Sequence, residues 1–357
     1  MKTTWLVGVL FAGLCFASAM QAQNLPKPAE GDFVANNFRF RSGEVLPHLR
    51  LHYATLGKPI RDGQGKVTNA VLILHGTTGS GQQFMRPEFA GVLFGPGQLL
   101  DVRRYYIVLP DSIGHGHSSK PSDGLHARFP RYDYADMVNA QHLLLTQGLK
   151  VNHMRLVMGT SMGCMHTWIW TETYPDFMDA AMPLACLPVQ IAGRNRMMRK
   201  MIMDSIRDDP GWMGGEYKQQ PAGMKSAAYV FLFMVSSPLQ MQKNYPTRDQ
   251  ADAFLDHFVK METSHLDAND TLYAFDASRD YDPSARLNLI RAPVMFVNSA
   301  DDQINPPELG ITEREIKKVK KGRFVLLPIT DQTRGHGTHT LAAVWKQYLA
   351  ELLTGSQ

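Results

Sequence analysis

The stretch VMGTSMGCM, residues 157–165, places a serine between two glycines directly after an apolar run. Gly159 and Gly163 stand two residues on either side of Ser161, although neither a strand interior nor a helix interior favours glycine. The preceding run, MRLVM at 154–158, is typical of a buried strand, and the following segment, MGCMHTWIWTETY, is typical of a helix. We therefore predict a sharp strand-to-helix turn with Ser161 at its tip.

A turn of this kind forces its central residue into a strained backbone conformation. Side chains two residues before and after would collide, which explains both glycines. The same turn exposes the serine hydroxyl and directs the first amides of the helix, beginning with Met162, towards whatever that hydroxyl attacks. The pattern therefore predicts that Ser161 is a nucleophile.

Short apolar runs without alternation recur along the rest of the chain. Such runs are typical of strands that are covered on both faces. They stand at 70–74, 105–109, 154–158, 294–298 and 324–328, and helical patterns occupy 134–149 and 341–353. This order predicts an α/β fold, with a mostly parallel, doubly wound sheet between two layers of helices. The segment 38–57 alternates around Ser42–Gly43 and predicts an antiparallel pair of strands.

The pattern of strand and helix breaks between Pro188 and Pro283. This segment is helical, prolines interrupt it, and methionines are scattered through it. We interpret it as a helical cap, at about 188–283, over the carboxyl edge of the sheet. The methionines either pack the helices together or form an adaptable apolar lining for a substrate pocket.

A serine hydroxyl needs a base to take its proton, and the base needs a group that orients it. In a doubly wound sheet these groups belong at the carboxyl ends of strands. Asp301 and Asp302 follow the run at 294–298, and His336 and His339 follow the run at 324–328. Serine, acid and histidine thus occur in the chain order that this turn type implies.

The landmarks resemble those of the homoserine O-acetyltransferase family within the α/β-hydrolase superfamily. They are NAVLILHGTTGS, GPGQLLDVRRYYIV, FPRYDYADMVNAQ, GTSMGCMHTWIW, DDPGWMGGEY, DDQINPPE and the GH at 335–336. The resemblance extends over nearly all of the chain after residue 22. Aligned on Pro306–Pro307, the resemblance implies that Asp302 and His336 complete a triad with Ser161. Asp301 and His339 are the alternatives.

The resemblance also implies an α/β-hydrolase fold. It places an oxyanion hole at the backbone amides of Thr77 and Met162.

Three departures from the family favour hydrolysis over acyl transfer. The turn reads GTSMGC where the family commonly has GGSMGG, and the family's substrate-binding arginine falls on Ala228. The loop DSIGHGHSSKP is similar to that of ordinary α/β-hydrolases. We expect a serine esterase, with an acyl-CoA-dependent O-acyltransferase as the alternative. Arg194, Arg196 and Arg199 could replace this missing arginine, but we expect them to lie on a solvated helix face.

The first residues have the pattern of a secretory signal peptide. Lys2 precedes an apolar run at 5–16, and small residues follow it, which predicts cleavage after Ala22, with Ala19 as the alternative. The resulting domain would be 23–357, periplasmic or secreted, with no membrane anchor. It would keep Cys164 and Cys186, which we expect to be unpaired because both stand in apolar surroundings and a domain of this size does not need a disulfide.

Composition, charge and histidine spacing bear on two other classes of protein, nucleic-acid-binding proteins and zinc enzymes. With 44% hydrophobic and 20% charged residues and a net charge of +4 spread along the chain, we expect no nucleic-acid partner. The spacing of His115 and His117, with His336 and His339, would suit zinc, but no further motif completes a metal site. We predict a small-molecule acyl substrate and neither metal nor cofactor, and we leave a homodimer open.

Overall fold

Eight strands form one sheet in the computed structural model, which describes residues 27–356. They are β1 (Ala29–Arg39), β2 (Val45–Leu56), β3 (Ala70–Leu74), β4 (Tyr106–Pro110), β5 (Leu156–Thr160), β6 (Ala181–Leu184), β7 (Val294–Ser299) and β8 (Gly322–Leu327). Their spatial order is β1-β2-β4-β3-β5-β6-β7-β8. β2 is antiparallel to β1 and to β4, and the pairs from β4 to β8 are parallel. The predicted mostly parallel sheet and its leading antiparallel pair are confirmed.

The α-helices connect these strands or follow them. They are α1 (Ala90–Leu93), α2 (Tyr134–Leu143), α3 (Met162–Thr173), α4 (Gly193–Arg207), α5 (Gly223–Val235), α6 (Pro238–Asn244), α7 (Arg248–His265), α8 (Ala268–Asp276), α9 (Ile311–Glu315) and α10 (Ala342–Gly355). Short 3-10 helices occupy several of the connections.

Strand β3 shows why the central runs do not alternate. All five of its residues are buried. Leu72 and Leu74 belong to the core on one face, which contains Trp168 of α3. Val71 and Ile73 belong to the core on the other face, which contains Trp345 of α10. Successive side chains of a strand point to opposite faces, so a strand between two helical layers is apolar at every position.

Two strands differ from the prediction. β6 was not predicted, because only four residues pair there and Pro183 is one of them. The run at 324–328 does form β8, but the expectation that both of its faces are covered is wrong. β8 is the last strand of the sheet and is partly exposed, with Leu326 38% exposed. At this edge the helices no longer enclose the sheet from both sides.

Between β6 and β7 the chain forms the helices α4 to α8, within the segment interpreted as a cap. They bury their own apolar cluster, which includes Ile202, Met224 and Phe275. Of the methionines, Met203 and Met224 pack inside this cluster, whereas Met197 is 65% exposed. The cluster also contains Ile304, from the loop after β7, which joins the cap helices to the edge of the sheet.

The predicted signal peptide at 1–22 lies outside the described residues. Among residues 27–356, none of the helices combines the length and the apolar character that crossing a bilayer requires.

The expectation that Cys164 and Cys186 are unpaired is wrong, because the structure joins them in a disulfide with their Cα atoms 5.9 Å apart. Cys164 lies in the first turn of α3, directly after β5, and Cys186 follows the end of β6. β5 and β6 are neighbours, with Thr160 beside Leu184. The topology therefore brings together two thiols that are 22 residues apart in the sequence.

Candidate active site

Ser161 lies between the end of β5 at Thr160 and the start of α3 at Met162, as predicted. Its φ of 55° and ψ of −112° fall outside the regions that residues other than glycine favour. The Ser161 amide donates a hydrogen bond to the carbonyl oxygen of Leu184, 2.9 Å away in the neighbouring strand. The turn is therefore held by the sheet on one side and by the helix on the other.

The two glycines flanking Ser161 are required by close backbone packing. A Cβ atom on Gly159 would lie 2.2 Å from the carbonyl oxygen of Gly163. A Cβ atom on Gly163 would lie 2.0 Å from the carbonyl oxygen of Leu74 in β3. The predicted collision is confirmed, and for Gly163 the clash is with a central strand.

Gly163→Ala is expected to destabilise the fold by about 3 kcal/mol or more, because neither the strand nor the helix backbone can move away from the added methyl group. Gly91→Ala is the matched control, since its Cβ would meet nothing closer than 4.0 Å. Urea unfolding would measure both variants. A loss for Gly163→Ala no larger than that of the control would contradict the packing argument.

His336 links the serine to an acid. Its Nε2 atom lies 2.9 Å from Ser161 Oγ, and its Nδ1 atom lies 2.9 Å from Asp302 Oδ2. An ionised carboxylate only accepts hydrogen bonds, so Nδ1 carries the proton and Nε2 is free to accept the serine proton. The imidazole is almost fully buried, at 4% exposed. The structure thus brings together the three predicted residues in the arrangement that a general base requires.

Asp302 is held in its ionised form. Burial raises the pKa of its carboxyl, but the neighbouring His336 and the hydrogen bonds that the carboxylate accepts outweigh burial and leave the pKa below its usual value. Those bonds come from His336, from the Asn305 side chain at 2.9 Å and from the Ile304 amide at 2.9 Å. The carboxylate is consequently fixed in position and negatively charged beside the imidazole.

The alternatives, Asp301 and His339, have other surroundings. Asp301 accepts hydrogen bonds from the Gly335 amide at 2.8 Å and from Ser299 Oγ at 2.5 Å, so it anchors the loop that carries His336. His339 packs edge-on against His336, with ring centroids 5.0 Å apart. Burial, with a smaller effect of His336, lowers the pKa of His339 to about 3, which makes it a poor proton acceptor at neutral pH.

The loop after β3 brings Thr77 into the cavity that contains Ser161. Among residues 27–356, the amides of Thr77 and Met162 donate no hydrogen bond to a protein acceptor, so both remain available to a ligand. His75 stabilises this loop, because its Nδ1 donates to the Gly76 carbonyl at 2.8 Å and its Nε2 accepts from the Ser112 amide at 2.9 Å. Burial is the main reason that the pKa of His75 is lowered to about 4, which keeps the ring neutral.

Ser161 and His336 open into a cavity of about 210 Å³ beneath the cap. Its wall includes Met234, so one of the scattered methionines does line a pocket. Arg199 also lines it and is only 2% exposed, so the expectation that this arginine lies on a solvated face is wrong. α4 turns Arg199 towards the sheet and leaves Met197 in solvent, the reverse of what hydrophobicity predicts. Ala228 is buried in α5 and does not line this cavity.

Two of the histidines considered for zinc, His115 and His117, have different partners. The ring nitrogens of His115 lie 2.6 Å from the Thr77 carbonyl oxygen and 2.9 Å from that of Ile113. The His117 ring packs against His52, with centroids 5.1 Å apart. Within the described residues, no group of three or more His, Cys, Asp or Glu side chains is arranged to hold a metal ion.

Comparisons with known proteins agree with this architecture. A family model for the alpha/beta hydrolase fold matches residues 69–326. The chain is 30% identical over 345 residues to a homoserine O-acetyltransferase of Pelobacter propionicus, covering 86% of this chain and 91% of that protein.

Solved structures with the same fold include an acetylester hydrolase from Corynebacterium glutamicum, with a TM-score of 0.78, 20% identity and coverage of 91% of this chain and 96% of that one. A homoserine O-acetyltransferase from Bacillus anthracis has a TM-score of 0.78 and 19% identity, over 92% of this chain and 98% of that one. The chain therefore belongs to the α/β-hydrolase fold family and is related, within it, to the homoserine O-acetyltransferases.

Proposed function

We propose that this protein is a serine hydrolase that cleaves an ester or related acyl substrate through an acyl-enzyme. The observation that carries the proposal is the continuous chain of contacts from Ser161 Oγ to His336 Nε2 and from His336 Nδ1 to Asp302, each 2.9 Å long. This geometry suits a base that takes the serine proton and an acid that orients the base.

In the first half of the proposed reaction, Ser161 Oγ attacks the carbonyl carbon and His336 Nε2 accepts the hydroxyl proton. The carbonyl oxygen becomes an oxyanion that accepts hydrogen bonds from the amides of Thr77 and Met162. His336 then gives its proton to the departing alkoxide, which leaves as the alcohol. The acyl group remains bonded to Ser161 Oγ.

In the second half, water attacks the acyl-enzyme and His336 accepts one of its protons. Collapse of the second oxyanion breaks the bond to Ser161 Oγ, which recovers a proton from His336. The net reaction converts one ester and one water into one acid and one alcohol. Asp302 stays ionised throughout and stabilises the imidazolium that forms twice.

Acyl transfer from acyl-CoA to an alcohol is the second candidate, because it would use the same serine and the same acyl-enzyme. The sequence argument that the site lacks a cation for an amino-acid acceptor is weakened by Arg199, which lies in the cavity. We nevertheless favour water as the acceptor, since residues 1–22 read as an export signal and acetyl-CoA is a cytosolic thioester.

We further propose that the mature chain acts in the periplasm or outside the cell. The Cys164–Cys186 disulfide supports this location independently of the signal pattern, because disulfides persist mainly in oxidising compartments.

We expect the purified protein to hydrolyse short-chain p-nitrophenyl esters and to release no coenzyme A from acetyl-CoA in a homoserine-dependent manner. Nitrophenolate absorbance measures the first reaction, and a thiol reagent measures the second. Ser161→Ala serves as the control for both. Thiol release that rises with homoserine concentration would overturn the hydrolase proposal and favour the acyltransferase.

A further inference from the structure

Arg199 is a buried cation whose partners among residues 27–356 are all neutral. Its Nε donates to the Asn195 side-chain oxygen at 2.9 Å, and its Nη1 donates to Ser278 Oγ at 3.1 Å. The guanidinium carbon lies 5.6 Å from the centre of the Phe275 ring. These contacts hold the side chain in one orientation and engage two of its five N–H groups.

The charge of Arg199 is uncompensated within the described part of the chain. Among the described residues, 27–356, no carboxylate forms an ion pair with it. A buried charge without a counter-charge is costly, and buried charges in proteins are normally paired. By contrast, Arg194 on the same helix is exposed and donates to the Gln303 carbonyl, where solvent can stabilise it. An anion that enters from outside would remove the cost at Arg199.

The cavity beside Arg199 is shaped and charged to receive such an anion. Arg199, Ser161 and His336 line the same space of about 210 Å³, and no acidic residue of the described chain lines it. Arg86 lines it too, and also lines the adjoining cleft of about 550 Å³. The remaining wall combines neutral polar residues with an apolar side formed by Phe231, Met234, Val235, Phe275 and Ile304. A space equivalent to roughly seven waters suits a small molecule with a short carbon chain.

We propose that the substrate is a small ester carrying a free carboxylate and that Arg199 binds this carboxylate while Ser161 attacks the ester carbonyl. The inference rests on the serine hydrolase function proposed above and names its substrate class. A guanidinium presents its N–H groups in a planar fork that matches the two oxygens of a carboxylate. The carboxylate can stand on the acyl side or on the alcohol side of the ester, and two pairs of substrates separate these cases.

The kinetic test compares an anionic ester with a neutral ester of similar length in each pair. Monomethyl succinate and methyl pentanoate probe the acyl side, and 4-acetoxybutanoate and pentyl acetate probe the alcohol side. We expect the wild-type protein to prefer the anionic member of at least one pair in kcat/KM. In Arg199→Met, the preference for that anionic ester is expected to fall about 100-fold.

Two further variants define the role of Arg199. Arg199→Lys retains the charge but loses the fork, so its preference should lie between those of the wild type and Arg199→Met. Arg194→Met is the matched control and should leave the preference unchanged. A wild-type enzyme that favours the neutral ester in both pairs would overturn the proposal. The proposal would also be overturned if Arg199→Met lowered kcat/KM equally for both members of each pair, because that result indicates a structural role.

A binding measurement separates this inference from the proposed function. In Ser161→Ala, millimolar glutarate is expected to raise the thermal midpoint, whereas pentanamide is not, and Arg199→Met in the same background should remove the shift. If glutarate gives no shift that depends on Arg199, the inference fails even where neutral esters are hydrolysed. If this shift occurs but no ester is cleaved, the carboxylate site stands and the hydrolase proposal fails.

Discussion

Ser161→Ala is expected to fold normally and to hydrolyse esters about 10⁴- to 10⁶-fold more slowly than the wild type. Removal of the nucleophile leaves only the contributions of substrate binding and of the oxyanion amides. Alanine keeps the Cβ atom and therefore the same backbone geometry at the turn. Turnover of a p-nitrophenyl ester under saturating conditions, together with urea unfolding, measures both parts of the expectation.

Covalent labelling provides an independent test of the same residue. A fluorophosphonate probe should modify the wild type and Ser264→Ala, whose serine lies exposed on α7, but not Ser161→Ala. Labelling that persists in Ser161→Ala would show that another residue is the nucleophile.

Asp302→Asn is expected to lower turnover about 10⁴-fold, because it changes the tautomer of His336. An asparagine amide that donates to Nδ1 leaves the proton of the neutral ring on Nε2, which then cannot accept the proton of Ser161. The carboxylate also no longer stabilises the imidazolium. Steady-state kinetics would measure the loss, and circular dichroism would show that the fold persists.

The neighbouring acid is the matched control for this effect. Asp301→Asn is expected to cost less than about tenfold, because Asp301 anchors the Gly335 amide and does not contact the imidazole. An asparagine oxygen can still accept that hydrogen bond. If Asp301→Asn were the more damaging change, the assignment of the acid would be off by one residue.

Local patterns in the sequence predicted the parts of the site that depend on local geometry. The turn around Ser161 could be read from its glycines because the collisions at Gly159 and Gly163 follow from the turn itself. The pairs Asp301–Asp302 and His336–His339 could be placed at one edge of the sheet because they follow apolar runs whose carboxyl ends must meet there. The choice of Asp302 and His336 within these pairs came from the family resemblance.

Features that depend on topology or on helix orientation were missed. The Cys164–Cys186 disulfide forms because β5 and β6 are neighbours, but β6 is too short to be recognised from its composition. Arg199 was expected in solvent because arginine is rarely buried. Its position instead depends on Asn195, Ser278 and Phe275, three contacts that only the folded cap supplies.

The cap leaves the sheet and returns to it on two neighbouring strands. β6 and β7 pair directly, with Leu184 beside Val297, although more than a hundred residues separate these two positions. The whole excursion can therefore change in length or sequence without altering any strand register. Ser161, Asp302 and His336 all lie outside α4 to α8, whereas Arg199 lies inside them. In the evolution of this family, a change of cap would thus alter which molecules fit the cavity, whereas the three proposed catalytic residues would be inherited unchanged.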